Sequence, residues 1–161
     1  MAFGKDGSNN NLWVAVGYNA GAGNTITTSI NGINWTGRGV TVFSTNGNRA
    51  AYGNGLWVAV GQGGNNIASS TDGINWTGQT FFSGQGLDVT YANNLWVAVG
   101  VAVSSGDSIA TSVNGTTWTG LGRTTFSFSC EGIEYGRDGS GNGLWVAVGS
   151  GGNTIATSVN G

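Results

Sequence analysis

The groups able to do chemistry in this chain are few. Arg38, Arg49, Arg123 and Arg137 could hold an anion through paired N–H donors. The stretch 131–136, EGIEYG, supplies Glu131, Glu134 and Tyr135. A carboxylate there could serve as a general acid or base, and a phenol beside it as a nucleophile. Asp6-Gly7-Ser8-Asn9 and Asp138-Gly139-Ser140-Gly141-Asn142 put oxygen ligands in glycine-rich turns, the donor type hard cations take. They lack the spacing and terminal acid of an EF-hand loop, and Asp, Gly and Asn form turns without a cation. Cys130 is the single cysteine and no His is present. It therefore reads as a small, semi-buried apolar side chain with no base to activate it. No catalytic set, metal site or cofactor is expected.

What must position these groups is a repeat. The hexapeptide LWVAVG stands unchanged at 12–17, 56–61, 95–100 and 144–149, with starts 44, 39 and 49 residues apart. A second block recurs as SINGINWTG, STDGINWTG and SVNGTTWTG, which carry Trp35, Trp76 and Trp118. Residues 2–17 align without gaps on 134–149, so Tyr135 falls on Phe3, Glu134 on Ala2 and Arg137 on Lys5. Tyr52 and Tyr91 occupy the same place in the other units. Tyr135 thus reads as a core position of a repeat, not as a nucleophile set apart by its context.

Each unit reads as four short strands, with units at about 1–46, 47–86, 87–129 and 130–161. The first is AAYG, VTYA or IEYG, the second the hexapeptide, the third TITTS, NIASS, SIATS or TIATS, and the fourth INWTG or TTWTG. Asn-Gly at 54–55 and 142–143 and Asn-Asn at 93–94 precede the hexapeptide. Asn31-Gly32, Asp72-Gly73, Asn114-Gly115 and Asn160-Gly161 follow the third strand as structural turns. Such pairs tolerate positive φ at both central positions, which predicts tight hairpins. No helical period occurs. In the hexapeptide Leu12, Val14 and Val16 point to one face and Trp13 and Ala15 to the other. Neither face is polar, so the strand should be covered on both sides, with the large Trp beside the small Ala suited to a wedge between neighbouring sheets.

Four-stranded antiparallel units of about 40 residues predict an all-β fold, a β-propeller of about four blades whose last lacks its outer strand. Three full units and most of a fourth disfavour the three-unit β-trefoil. An end blade with bare apolar faces predicts an oligomer or a piece of a longer array. A four-bladed ring and a two-chain, eight-bladed ring are the other ways to cover those faces.

Composition excludes several classes. The 161 residues include 32 Gly, no Pro and seven Trp, and 7% are charged. The 39% hydrophobic content is too high for a disordered tract. Net charge is −2, and five Lys and Arg are spread along the chain, so no basic stripe invites nucleic acid. No apolar run reaches the ~20 residues of a membrane span. No signal peptide is visible at the N-terminus, which leaves the compartment open.

SSTDGINW at 69–76 resembles the Asp-box, or BNR, repeat of sialidase-like propellers. The matching positions are Ser70, Asp72, Gly73 and Trp76, then Ser29, Asn31, Gly32 and Trp35, and Ser112, Asn114, Gly115 and Trp118. The Ser-to-Trp spacing is one residue shorter than the family pattern, and Asn replaces Asp in three of four copies. In style the chain is similar to the repetitive propeller-like proteins of large DNA viruses and environmental genomes. The resemblance implies that the hairpin is structural, its Trp packed between blades and its Asp holding the turn. A sialidase would further need three clustered Arg, a Tyr–Glu pair and a general acid, on six blades. The expectation is therefore a non-enzymatic scaffold, self-associating or binding another protein. The alternative is a multivalent lectin reading carbohydrate through Trp35, Trp76 or Trp118 with the amides Gln62, Asn65, Asn66 and Asn153.

Overall fold

The computed structural model describes residues 1–19, 21, 23–104 and 106–161. The chain divides into two compact units, Met1–Phe81 and Phe82–Gly161, each built from two antiparallel sheets. No helix occurs among the described residues.

In the first unit, β1 (Ala2–Lys5), β2 (Asn11–Val16), β3 (Ile26–Ser29) and β4 (Thr36–Gly37) make the first sheet in chain order. The second sheet is β5 (Phe43–Gly53), β6 (Leu56–Gly64), β7 (Ile67–Ser70) and β8 (Thr77–Gln79). In the second unit, the third sheet is β9 (Gly86–Ala92), β10 (Leu95–Gly100), β11 (Ile109–Ser112) and β12 (Thr119–Gly120). The fourth sheet has three strands, β13 (Phe126–Arg137), β14 (Gly143–Gly152) and β15 (Ile155–Ser158).

Register makes the four sheets alike. The hexapeptide strand runs between its two neighbours, and its Trp faces an aromatic ring on one side and a Ser on the other. The rows are Phe3–Trp13–Ser29, Tyr52–Trp57–Ser70, Tyr91–Trp96–Ser112 and Tyr135–Trp145–Ser158. Ring centroids in these aromatic pairs lie 4.7, 4.7, 4.8 and 4.9 Å apart with tilted planes. That is the tilted, offset geometry aromatic quadrupoles prefer. The Trp–Ala and Leu–Val–Val faces lie on opposite sides of the strand, as the period of two requires.

Between sheets of one unit the two kinds of face meet. Leu12, Val14 and Ile26 of the first sheet cluster with Trp57, Ala59 and Ala68 of the second. Val97 and Val99 of the third cluster with Trp145, Ala147, Ile133 and Cys130 of the fourth.

Three local expectations are corrected. Three of the four first strands are longer than four residues: β5 has 11, β9 has 7 and β13 has 12, all with register shifts, whereas β1 has four. A Phe stands nine residues ahead of each repeat Tyr, and Phe43, Phe82 and Phe126 are all buried; Phe43 and Phe126 open β5 and β13, while Phe82 precedes β9. The sequence reading missed these residues, although their constant spacing was the available signal. Secondly, the fourth strands contain little more than Thr-Gly, and the Trp before them belongs to the turn. Thirdly, the turns after the third strands are not two-residue hairpins. Gly32, Gly73 and Gly115 have φ of 72, 71 and 72°, but Asn31, Asp72 and Asn114 do not enter the positive region. A side-chain turn has replaced the tight one. The tight form does occur at Asn54-Gly55 (φ 49 and 75°) and Asn93-Asn94 (φ 50 and 59°). At 142–143 it does not, because Gly143 already opens β14 and Gly141 (φ 84°) makes the turn instead.

Candidate functional site

The side-chain turn has one wiring in the first three copies. In the second sheet Ser70 Oγ donates to Asp72 Oδ1 (2.9 Å) and accepts from the Gly73 amide (2.8 Å). Asp72 Oδ1 accepts from the Ile74 and Asn75 amides at 2.8 and 2.7 Å, and Oδ2 from Asn75 Nδ2 at 2.8 Å. Asn31 and Asn114 make the same two amide contacts, with Ser29 and Ser112 in the serine role. Ser158, Asn160 and Gly161 repeat the serine half. An Asn oxygen serves as well as a carboxylate because the donors are backbone N–H groups.

Asp72 differs in its charge and in its second oxygen, which takes the Asn75 Nδ2 donor. Partial burial pushes its carboxyl up, but the Asn75 and Ile74 amides, with Asn75 Nδ2 and Ser70, outweigh that and bring it down to about 2 from 3.8. A depressed folded pKa means stabilisation present above pH 4 and lost as pH falls from about 4 to about 2. One side of the carboxylate is solvated, so the share is about 1 kcal/mol. Asp72→Asn keeps the turn, as the Asn copies do, and is expected to flatten the acid limb of a stability–pH curve measured by urea unfolding. An unchanged acid limb would show that Asp72 is not its source.

The amides singled out as ligand-binding candidates mostly serve the chain itself. Asn65 Nδ2 donates to the Val42 carbonyl at 2.9 Å, and Asn153 Nδ2 to the Thr125 carbonyl at 2.8 Å. Asn66 is buried and its Oδ1 accepts from the Phe81 amide at 2.8 Å. Gln62 is exposed at the end of β6, opposite Asn46. Among the candidate rings, Trp76 is half-buried and its Nε1 donates to the Gly73 carbonyl at 3.0 Å. Trp118 is half-buried with its Nε1 unpartnered. Trp35 is the open one, at 40% exposure.

The acid–base candidates are divided between the units, with Glu131, Glu134 and Tyr135 on β13 of the second. Each unit holds two of the four arginines. Arg38 Nε donates to Thr28 Oγ1 (2.9 Å) and Arg137 Nη1 to the Gly141 carbonyl (2.7 Å). Tyr135 packs on Trp145, as its equivalents pack on theirs. Glu134 accepts from the Tyr135 amide, and Glu131 from Ser129 Oγ. Cys130 is buried, and that burial pushes its thiol up to about 12, so little thiolate exists at neutral pH. Asp6 and Asp138 wrap their own loops. Asp6 accepts from the Asn10 and Ser8 amides at 2.8 and 2.9 Å, and Asp138 from Asn142 and Ser140 at 2.8 and 2.9 Å. The Asn10 amide and side chain hold the Asp6 carboxyl below its usual value, and the Asn142 side chain, donating Nδ2 to Oδ2 at 3.1 Å, followed by the Asn142 amide, does the same for Asp138. Among the described residues no three His, Cys, Asp or Glu come together.

Two concavities lie in the second unit. A cavity of about 200 Å³ is lined by Val97, Ile109, Trp145, Ala147, Ala156 and Gly161, among others. Trp145 Nε1 is buried there without a partner. The equivalent residues of the first unit form the cluster on which Trp76 packs, so the space corresponds to the one that indole fills. A more open groove of about 330 Å³ on the β11–β12 hairpin is lined by Leu95, Thr111, Ser112, Asn114, Thr117 and Thr119, with Val113.

No protein-family model matches the chain, and no curated protein matches it either.

Proposed function

We propose that the chain is a non-enzymatic repeat scaffold of the β-propeller type, its four sheets acting as blades, with an Asp-box-like turn at each hairpin and protein recognition in the variable loops. The observation that carries this is the fourfold aromatic row. Tyr135, the best nucleophile candidate, occupies the position that Phe3, Tyr52 and Tyr91 occupy against the other tryptophans. A residue with three packing equivalents, one of them lacking the hydroxyl, is explained by packing. The proposal also agrees with amides that tie one loop to another.

A second reading, a carbohydrate-binding module, is favoured by the hydroxyl-lined groove around Thr111, Ser112 and Thr117 in the second unit and, as a separate point of contact, by the open ring of Trp35 in the first. Hydroxyl and amide groups and aromatic faces are the kinds of group sugars bind. A glycan array together with a fluorogenic sialoside assay separates the readings. The scaffold predicts no array signal and no turnover. Array binding abolished by Trp35→Ala or Thr117→Ala would install the lectin reading, and turnover abolished by Tyr135→Phe would overturn both.

A further inference from the structure

One rule governs how consecutive sheets meet inside a unit: the Leu–Val–Val–Ile face of the earlier sheet covers the Trp–Ala face of the later one. In the first unit a hydrogen bond keys the contact, Trp57 Nε1 donating to the Lys5 carbonyl at 2.7 Å. Two faces of these types stay open. On the fourth sheet Val146, Val148 and Ile155 are 36, 44 and 64% exposed, whereas their equivalents Val58, Val60 and Ile67 are at 0, 0 and 1%. On the first sheet Phe3 is 48% exposed and Trp13 and Ala15 are only half-buried, whereas Trp57, Ala59, Trp96 and Ala98 are fully buried.

We propose that a second copy of the chain docks head to tail, the Trp face of its first sheet covering the Val face of the fourth. The hexapeptides are identical, so the open Val face presents the surface that, in the first unit, covers a Trp–Ala face. The open Trp face presents what such a surface covers. Apolar faces of this kind are rarely left to water, and a heterologous contact joins two different patches. Strand pairing puts one charge on each face, of opposite sign: Glu134 beside Val146, and Lys5 two residues from Phe3. Trp13 of the second copy takes the role of Trp57, with the Arg137 carbonyl, the repeat equivalent of Lys5, as its acceptor. This contact goes beyond loop display and stands on the sheet faces alone.

The test is light scattering across a wide concentration range on the intact chain and on two variants, Val148→Arg and Phe3→Glu. Both positions are exposed, and far-UV circular dichroism with thermal unfolding confirms that each variant is folded; Ile155→Arg is a second variant of the same face. The wild type is expected at twice the 16.2 kDa of one chain or more, and each variant alone at the single-chain mass. Mixing Val148→Arg with Phe3→Glu restores a pair, because one variant keeps the Trp face and the other the Val face. A wild type that stays at one-chain mass throughout overturns the proposal. So does an assembly that survives either substitution, or a mixture that stays dissociated.

Discussion

Trp57→Ala is expected to lower the free energy of unfolding by about 3–5 kcal/mol, and Trp13→Ala, the same change in the same hexapeptide, by about 1 kcal/mol. The two side chains share sequence neighbours and strand register. Trp57 is fully buried against the first sheet, and its Nε1 donates to the Lys5 carbonyl. Removing it opens a large cavity and leaves that carbonyl without its partner. Trp13 keeps its stacking with Phe3 at 4.7 Å but has one side in solvent. Because a second copy would cover Trp13, both substitutions belong in the Val148→Arg background, followed by chemical denaturation. Equal losses would mean that the hexapeptide alone sets its environment. Trp→Phe refines the comparison. At Trp57 it removes a made hydrogen bond, a loss of about 1 kcal/mol. At Trp145 it removes an N–H that has no partner, so the loss is confined to ring volume.

The closing glycine of the hexapeptide gives the second large effect. In Gly61→Ala the new Cβ would sit 2.8 Å from Cγ of Phe43 and closer still to the Asn46 carbonyl oxygen. Gly100 and Gly149 meet Phe82 and Phe126 in the same way, at 2.9 Å. None of the three has positive φ, so the constraint is space and not backbone conformation. Overpacking of this kind costs about 1–3 kcal/mol, and a contact with main chain on one side places Gly61→Ala at the upper end. Gly17 has nothing within 4 Å of the same position, and Gly17→Ala should change stability by less than about 0.5 kcal/mol. Thermal unfolding of the two variants side by side, again in the Val148→Arg background, decides the matter. A stable Gly61→Ala would mean that the Phe43 strand can shift away.

Much of the architecture was legible from local pattern. The period-two alternation in LWVAVG, the Asn-Gly pair at 54–55 and the absence of any helical period were enough for antiparallel sheets; the expected cover on both faces holds for the hexapeptides of the second and third sheets but not for those of the first and fourth, where Trp13 is half-buried and Val148 exposed. The alignment of Tyr135 with Phe3 was enough to mark it as a packing position of the repeat, and the structure adds that its ring lies against Trp145. The turn at Asp72 was misjudged in form, because Asn-Gly and Asp-Gly suit two geometries. The serine two residues earlier selects between them by offering its hydroxyl to the Gly amide.

Other properties appear only when the sheets are packed. Four identical hexapeptides give Val60 no exposure and Val148 44%, and nothing within the hexapeptide distinguishes them. Strand periodicity dictates which side chains share a face, since it is a property of the backbone. Whether that face meets another sheet or water depends on residues far away in the chain. The same holds for the closing glycines, which Phe43, Phe82 and Phe126 meet from 18 or more residues earlier in the chain, and for Asn65 and Asn153, which look available as letters but are held by the Val42 and Thr125 carbonyls. Short-range chemistry thus defines the repeat, and long-range packing defines which copies of it remain free to bind.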